Sequence, residues 1–241
     1  GSNNESAVMI AEWDGAILSN ISGINLEKTF PASVALPNQV VANKENGTLF
    51  LYTVLNGNNT LVKINFETKE IVYTVQTGVA PYGLCIIGNK AYVTNWAGPL
   101  VTDTSLESAG VPWGKAYTNP VTGATKEGSL SIFKIDDGSL EKEIQLGLHP
   151  TAIIKSDDNK FLYITNGNSD NVSVVDVNKE VLVDSIATGL FSGMNNYFGS
   201  SPNGAFIDSK TGTLYVANGM DNAVAVIQLG KNASATGSGN D

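Results

Sequence analysis

The chain has 241 residues, 42% of them hydrophobic, and a formal net charge of −9 at pH 7 from 14 basic and 23 acidic residues. Every basic residue is lysine, and an acidic chain without arginine is poorly equipped to bind nucleic-acid phosphates or an anionic lipid surface. Cys85 stands alone, which excludes an internal disulfide, and no apolar run reaches the ~18 residues of a membrane-spanning helix.

In chain order, Gly1–Ser6 is a polar start. Residues 7–12 and Leu26–Phe30 read as two strands, the second half of a four-strand unit. A full unit opens after Pro37. A first strand and a turn lead to Leu51-Tyr52-Thr53-Val54, then to an alternating run Leu61–Phe66 and a further run ending at Gly78. The pattern restarts after Pro81 with Ala91-Tyr92-Val93-Thr94-Asn95, Leu130–Ile135 and Gly147. It restarts again after Pro150 with Leu162-Tyr163-Ile164-Thr165-Asn166, Val172–Val177, Val181–Ile186 and Gly189. After Pro202 come Leu214-Tyr215-Val216-Ala217-Asn218 and Ala223–Leu229, with no fourth run. Thr60 to Gly78, Ser129 to Gly147 and Asn171 to Gly189 share one spacing, and Cys85 sits in the apolar run Leu84–Ile87, where a buried thiol is expected.

Runs that are β-branched or alternating, bounded by Gly, Asn, Asp and Lys turns, read as strands; no window carries a helical period. A four-stranded unit repeated every ~40–45 residues is the unit of a β-propeller. The expected fold is therefore all-β, a propeller of four-stranded antiparallel blades, about four of them here. In each blade strands A and B are buried on both faces by neighbouring blades. Residues 1–241 form one domain, with an insertion over 99–127 between strands B and C of one blade and a second over Leu190–Ser201. Two closures compete: the blades belong to a larger ring, which is favoured, or Leu26–Phe30 pairs with Ala223–Leu229 and closes a ring of four.

The wording of the repeat carries a resemblance. Ala91–Asn95, Asp170-Asn171-Val172-Ser173-Val174-Val175-Asp176 and Gly147-Leu148-His149-Pro150 are similar to the YVTN-repeat β-propellers, bacterial surface, periplasmic and lactonase-like proteins that are commonly seven-bladed. Asn95-Trp96-Ala97-Gly98-Pro99, Gly110-Val111-Pro112-Trp113-Gly114 and Gly199-Ser200-Ser201-Pro202-Asn203 resemble the propeller that precedes an alkaline-phosphatase-type domain in some bacterial phosphoesterases. The resemblance covers residues 26–241. It implies an exported protein, periplasmic or at the cell surface, with a partner domain outside this chain.

Because strands A and B run antiparallel, the loops entering A and leaving B share a face, and both insertions open onto it. That face collects the candidate binding residues Tyr82, Asn95, Trp96, Trp113, Tyr117, His149, Asn166, Asn203 and Asn218. Each has a plainer reading. His149, the only histidine, fits a turn before Pro150. The repeated Asn95, Asn166 and Asn218 fit tight turns, where asparagine bonds nearby backbone. The long insertion, read as a loop without strands of its own, is either a lid or an edge shield.

No catalytic set and no cofactor or metal motif emerges. A single histidine excludes paired-histidine zinc motifs, no G-x-S-x-G elbow occurs, and Asn166–Asp170 lacks the glycine and glutamate of a calcium loop. The leading expectation is a non-catalytic binding or scaffold module that contacts a downstream domain, a partner protein or a small molecule, with no nucleic acid and no membrane insertion. The alternatives are a lactonase-like hydrolase using His149 at the channel mouth, or a surface-layer element assembling through open edges.

Overall fold

The computed structural model describes residues 6–27, 34–111, 114–190 and 199–230. It is all-β, and among the described residues no helix is long and apolar enough to cross a membrane. The chain opens with a hairpin, β1 (Ser6–Trp13) and β2 (Leu18–Leu26), closed by Asp14, whose carboxylate accepts the Ala16 and Ile17 N–H groups at 2.8 Å. Sheet 1 is β3 (Pro37–Glu45), β4 (Thr48–Leu55), β5 (Thr60–Asn65) and β6 (Ile71–Gln76). Next come β7 (Pro81–Ile87) and β8 (Lys90–Asn95), a separate hairpin of β9 (Ser108–Val111) and β10 (Gly114–Tyr117), then β11 (Gly128–Lys134) and β12 (Leu140–Leu146). Sheet 2 is β7-β8-β11-β12. Sheet 3 is β13 (Pro150–Lys155), β14 (Phe161–Asn166), β15 (Asn171–Asp176) and β16 (Val181–Ala187). Sheet 4 has three strands, β17 (Pro202–Asp208), β18 (Thr213–Asn218) and β19 (Ala223–Gln228). Every pairing is antiparallel between sequence neighbours within a sheet, the meander that short turns permit.

The repeated motif explains how the sheets stack. Successive side chains of a strand point to opposite faces. In the second strand, Tyr52, Tyr92 and Tyr163 point forward, and the residues beside each tyrosine point back. Tyr52 packs among Ala91 and Val93 of sheet 2, Tyr92 among Leu162 and Ile164 of sheet 3, and Tyr163 among Leu214 and Val216 of sheet 4. The hairpin covers the back of sheet 1 with Val8, Ile24 and Leu26 against Leu51, Val62 and Ile64. Each fully buried aliphatic side chain contributes roughly 1.5–3 kcal/mol.

Three expectations are corrected. The strand expected over Leu26–Phe30 runs earlier, over Leu18–Leu26, and residues 28–30 lie outside the described residues. Leu26 pairs with Ser6, and among the described residues β19 pairs only with β18, so Leu26 is not paired with β19 as the four-blade closure expects. The first strand of sheet 1 is also less buried than expected, with Val40 exposed, whereas β7 and β13 are buried or half-buried apart from Lys155. In sheets 1–3 it is the second and third strands that are most completely covered.

Sheet entry is identical in all four. Leu36, Ala80, His149 and Ser201, each just before the proline, have φ between +50° and +59°. Their carbonyls accept the N–H groups of Asn56, Trp96, Gly167 and Gly219. The proline has no N–H to give the ladder, and a register shift follows it in every first strand. The Thr of the motif answers that shift: Thr94 Oγ1 accepts the Gly83 N–H at 2.8 Å and Thr165 Oγ1 accepts the Ala152 N–H at 3.1 Å.

Candidate functional site

The face where the entry and exit loops meet carries an aromatic stack. Tyr82, just past the entry to sheet 2, stacks on Trp96 with ring centroids 4.5 Å apart and planes at 21°. His149, at the entry to sheet 3, lies 4.1 Å from the same indole at 36°. The stack thus joins two sheets. It exists because the chain leaves β8 into Trp96 while the left-handed turn at His149 aims the imidazole back toward it. Burial pushes the His149 pKa down, so its ring is neutral at pH 7. The Trp96 indole N–H is buried and has no hydrogen-bond partner, an unmet donor in an otherwise apolar setting.

The insertion closes beside this stack. Contrary to the expectation of a strandless loop, it holds the β9–β10 hairpin. Ala116 packs with Val79, Ala80 and Ala97, and Trp96 and Leu100 border that cluster. Tyr117 is buried, and its hydroxyl accepts the Thr102 and Asp103 N–H groups at 2.9 Å; the Asp103 N–H first, then Thr102, holds the phenol below the usual tyrosine range. Tyr117 is therefore an internal strut of the insertion as well as a lining residue of a cavity of about 290 Å³ shared with Leu106, Asn119 and Lys126. Trp113 lies outside the described residues. The second insertion is anchored by Asp170, which accepts the Gly199 N–H at 2.7 Å and the Ser201 N–H at 3.0 Å.

The asparagines do different work from that expected. The turns are present, made by their main-chain carbonyls: Gly98, Ser169 and Asp221 N–H groups donate to Asn95, Asn166 and Asn218. Their amides, however, are buried in the sheets. Asn95 donates to Ser129 (3.0 Å), Ser131 (2.8 Å) and Glu143 (3.3 Å), and Asn166 to Asn171 (2.7 Å) and Ser173 (2.8 Å). Asn218 donates to the Thr188 carbonyl. Burial raises the Glu143 pKa, against the hydrogen bonds it accepts from Ser131 and Asn95. The linking chain crosses two of these amides at a glycine: a Cβ on Gly78 would sit 2.6 Å from Asn95 Cγ, and one on Gly147 2.7 Å from Asn166 Cγ. Asn95 and Asn166 thus tie together the strands of their own sheets, Asn218 ties sheet 4 to the chain leaving sheet 3, and the Oδ1 atoms of all three are buried without a partner. Asn203 is exposed at the entry to sheet 4, with its amide nitrogen 2.7 Å from where a Gly219 Cβ would stand.

Two further features carried no signal in the motif. Lys63 occupies a position whose equivalents opposite the motif tyrosine are Ile132, Val174 and Val226. It is buried, paired with Glu45 at 2.7 Å, donates to the carbonyl of Ile135, just past β11, at 2.9 Å, and lies 4.3 Å from the Phe50 ring centroid. Separately, the first strands of sheets 1, 2 and 3 (β3, β7 and β13) line a cleft of about 430 Å³ that includes Gln39, Val41, Leu84, Cys85, Ile153 and Lys155. Burial pushes the Cys85 thiol up to about 11, so it stays protonated and a poor nucleophile. Among the described residues no three His, Cys, Asp or Glu side chains gather as a metal-binding group.

No family model matches the chain, and no curated protein matches it. Solved structures do. Hydrazine synthase from Kuenenia stuttgartiensis aligns at 20% identity with a TM-score of 0.53, over 79% of this chain and 43% of that one. A putative 6-phosphogluconolactonase from Bacteroides fragilis aligns at 17% identity with a TM-score of 0.58, over 95% of this chain and 62% of that one. At these identities the likeness is one of fold: an all-β, propeller-like stack of four-stranded antiparallel sheets. The chain spans less than two thirds of either structure's length.

Proposed function

We propose that this chain is a binding and scaffold section of an exported β-propeller of the YVTN type, whose decorated face contacts a partner domain or a small molecule. The observation that carries the binding reading is the Tyr82–Trp96–His149 stack with its buried, unmet indole N–H. A planar or apolar group bearing a hydrogen-bond acceptor is the chemistry that suits such a surface. The larger ring is supported by Tyr215, which is exposed although its three counterparts are covered by a following sheet. A phosphoesterase-type partner domain rests on sequence resemblance. The test is a screen of planar acceptor-bearing fragments, followed through the Trp96 indole N–H resonance. The expected result is that binders shift this resonance and lose their effect in Trp96→Ala. Binders that map elsewhere overturn the assignment.

A second reading draws on the fold likeness to the putative 6-phosphogluconolactonase. In it the neutral His149 imidazole is a general base toward a lactone. Sugar-lactone hydrolysis by residues 1–241, abolished in His149→Ala, would replace the scaffold reading. The scaffold reading expects no turnover.

A further inference from the structure

We infer that the cleft between β3, β7 and β13 is a binding site for a small monocarboxylate with an apolar tail, its carboxylate held by Lys155 and its tail laid along the first strands. The cleft, of about 430 Å³, is set apart by what lines it. Val41, Leu84, Ile86 and Ile153 give it apolar walls, and among the described residues Lys155 is its one charge. No Asp or Glu lines it, although acidic residues outnumber basic ones 23 to 14 in the chain. The ion pairs of the described residues engage Lys63, Lys90, Lys134, Lys160 and Lys179, and none engages Lys155. Burial raises the Cys85 pKa and the Lys155 charge opposes it, so the ammonium stands within electrostatic reach of the cleft's interior.

The backbone adds donors of the same sense. The Leu84 N–H donates to Gln39 Oε1 at 2.9 Å, so at this residue β7 turns its peptide groups away from β8 and toward β3. The register of β7 on β8 runs without a shift from Leu84 to Ile87, and in an antiparallel ladder the groups that face away recur at every second residue. The Ile86 N–H therefore faces the same side, and Ile86 itself lines the cleft. An ammonium with amide donors beside it selects an anion. One lysine, with no arginine fork, suits a singly charged carboxylate better than a phosphate. The apolar walls add affinity with each methylene of the tail that they cover. The cleft uses none of Tyr82, Trp96 and His149, so this site and the aromatic stack can fail independently.

The probe is octanoate, titrated into the full chain and followed through the backbone amide resonances of Cys85, Ile86 and Lys155, with 1-octanol as the uncharged control of equal length. The expected result is a saturable shift of these resonances with octanoate, and binding about tenfold weaker for 1-octanol and in Lys155→Gln. Lys155→Arg should restore most of the affinity, and Trp96→Ala should leave it unchanged. Lys155 is exposed, so its replacement leaves the core intact. The absence of shifts at ~1 mM octanoate overturns the proposal. Equal binding of 1-octanol, or unchanged binding in Lys155→Gln, overturns it by showing an apolar surface without charge recognition. Loss of binding in Trp96→Ala, or shifts confined to other residues, overturns it by placing the carboxylate elsewhere.

Discussion

Sheets 3 and 4 are built from the same words and have different fates. Tyr163 pairs opposite Val174 and Tyr215 opposite Val226, in the same register. Tyr163 is 2% exposed and Tyr215 36%. The difference is only what stands in front: Leu214 and Val216 cover Tyr163, and no described sheet covers Tyr215. The motif therefore encodes a demand for a neighbour. Local propensity makes the strand in both places, and packing completes it in one.

Three measurements sharpen or break this comparison. The largest effect is expected from Tyr163→Ala against Tyr215→Ala in urea unfolding. The first should cost ~3–5 kcal/mol, as large buried truncations do, and the second less than ~1 kcal/mol. Equal losses would mean that Tyr215 is covered in solution. A smaller contrast should come from the linking glycines. A Cβ on Gly147 meets the Asn166 amide carbon at 2.7 Å, so Gly147→Ala should cost ~1–3 kcal/mol; at Gly189 the nearest atom is Ser200 Oγ at 3.6 Å, and Gly189→Ala should be nearly neutral. A tolerated Gly147→Ala would show that the Asn166 crossing is loose.

The smallest effect is in pH. His149 and Ser201 hold the same entry position, and only the histidine titrates. Its folded pKa is pushed below its unfolded value of ~6.5 by burial. The unfolded state then binds the proton first, so this contribution to stability is complete above that value and is lost as pH falls through the folded pKa. Relative to His149→Gln, the wild-type chain should lose stability between neutral pH and mildly acidic pH. Parallel pH profiles would contradict the burial of the imidazole.

Most of the strand order was legible because tyrosine, proline and glycine recur at matched places and each has a backbone or packing reason to do so. What failed depended on contacts between distant residues. The asparagines looked like turn residues because turns do follow them; that their amides meet Ser131, Glu143 and Ser173 requires knowing the cross-strand register. Leu18–Leu26 was missed because Asn20, Ser22 and Gly23 interrupt its apolar pattern. The small residues Ser108, Ala109 and Gly110 likewise gave the insertion hairpin no strand signature. Antiparallel topology was enough to put Tyr82, Trp96 and His149 on one face, whereas their stacking distances depend on left-handed turns that one sequence does not announce.

The stack between sheets 2 and 3 also makes the molecule its own optical gauge. Trp13 stands exposed near the hairpin tip, whereas Trp96 is wedged beside a phenol from one sheet and an imidazole from the next. With Trp13→Phe and Trp113→Phe in place, light emitted by Trp96 reports the parting of one junction, and a mismatch between that signal and the backbone signal would expose stepwise dismantling of the array.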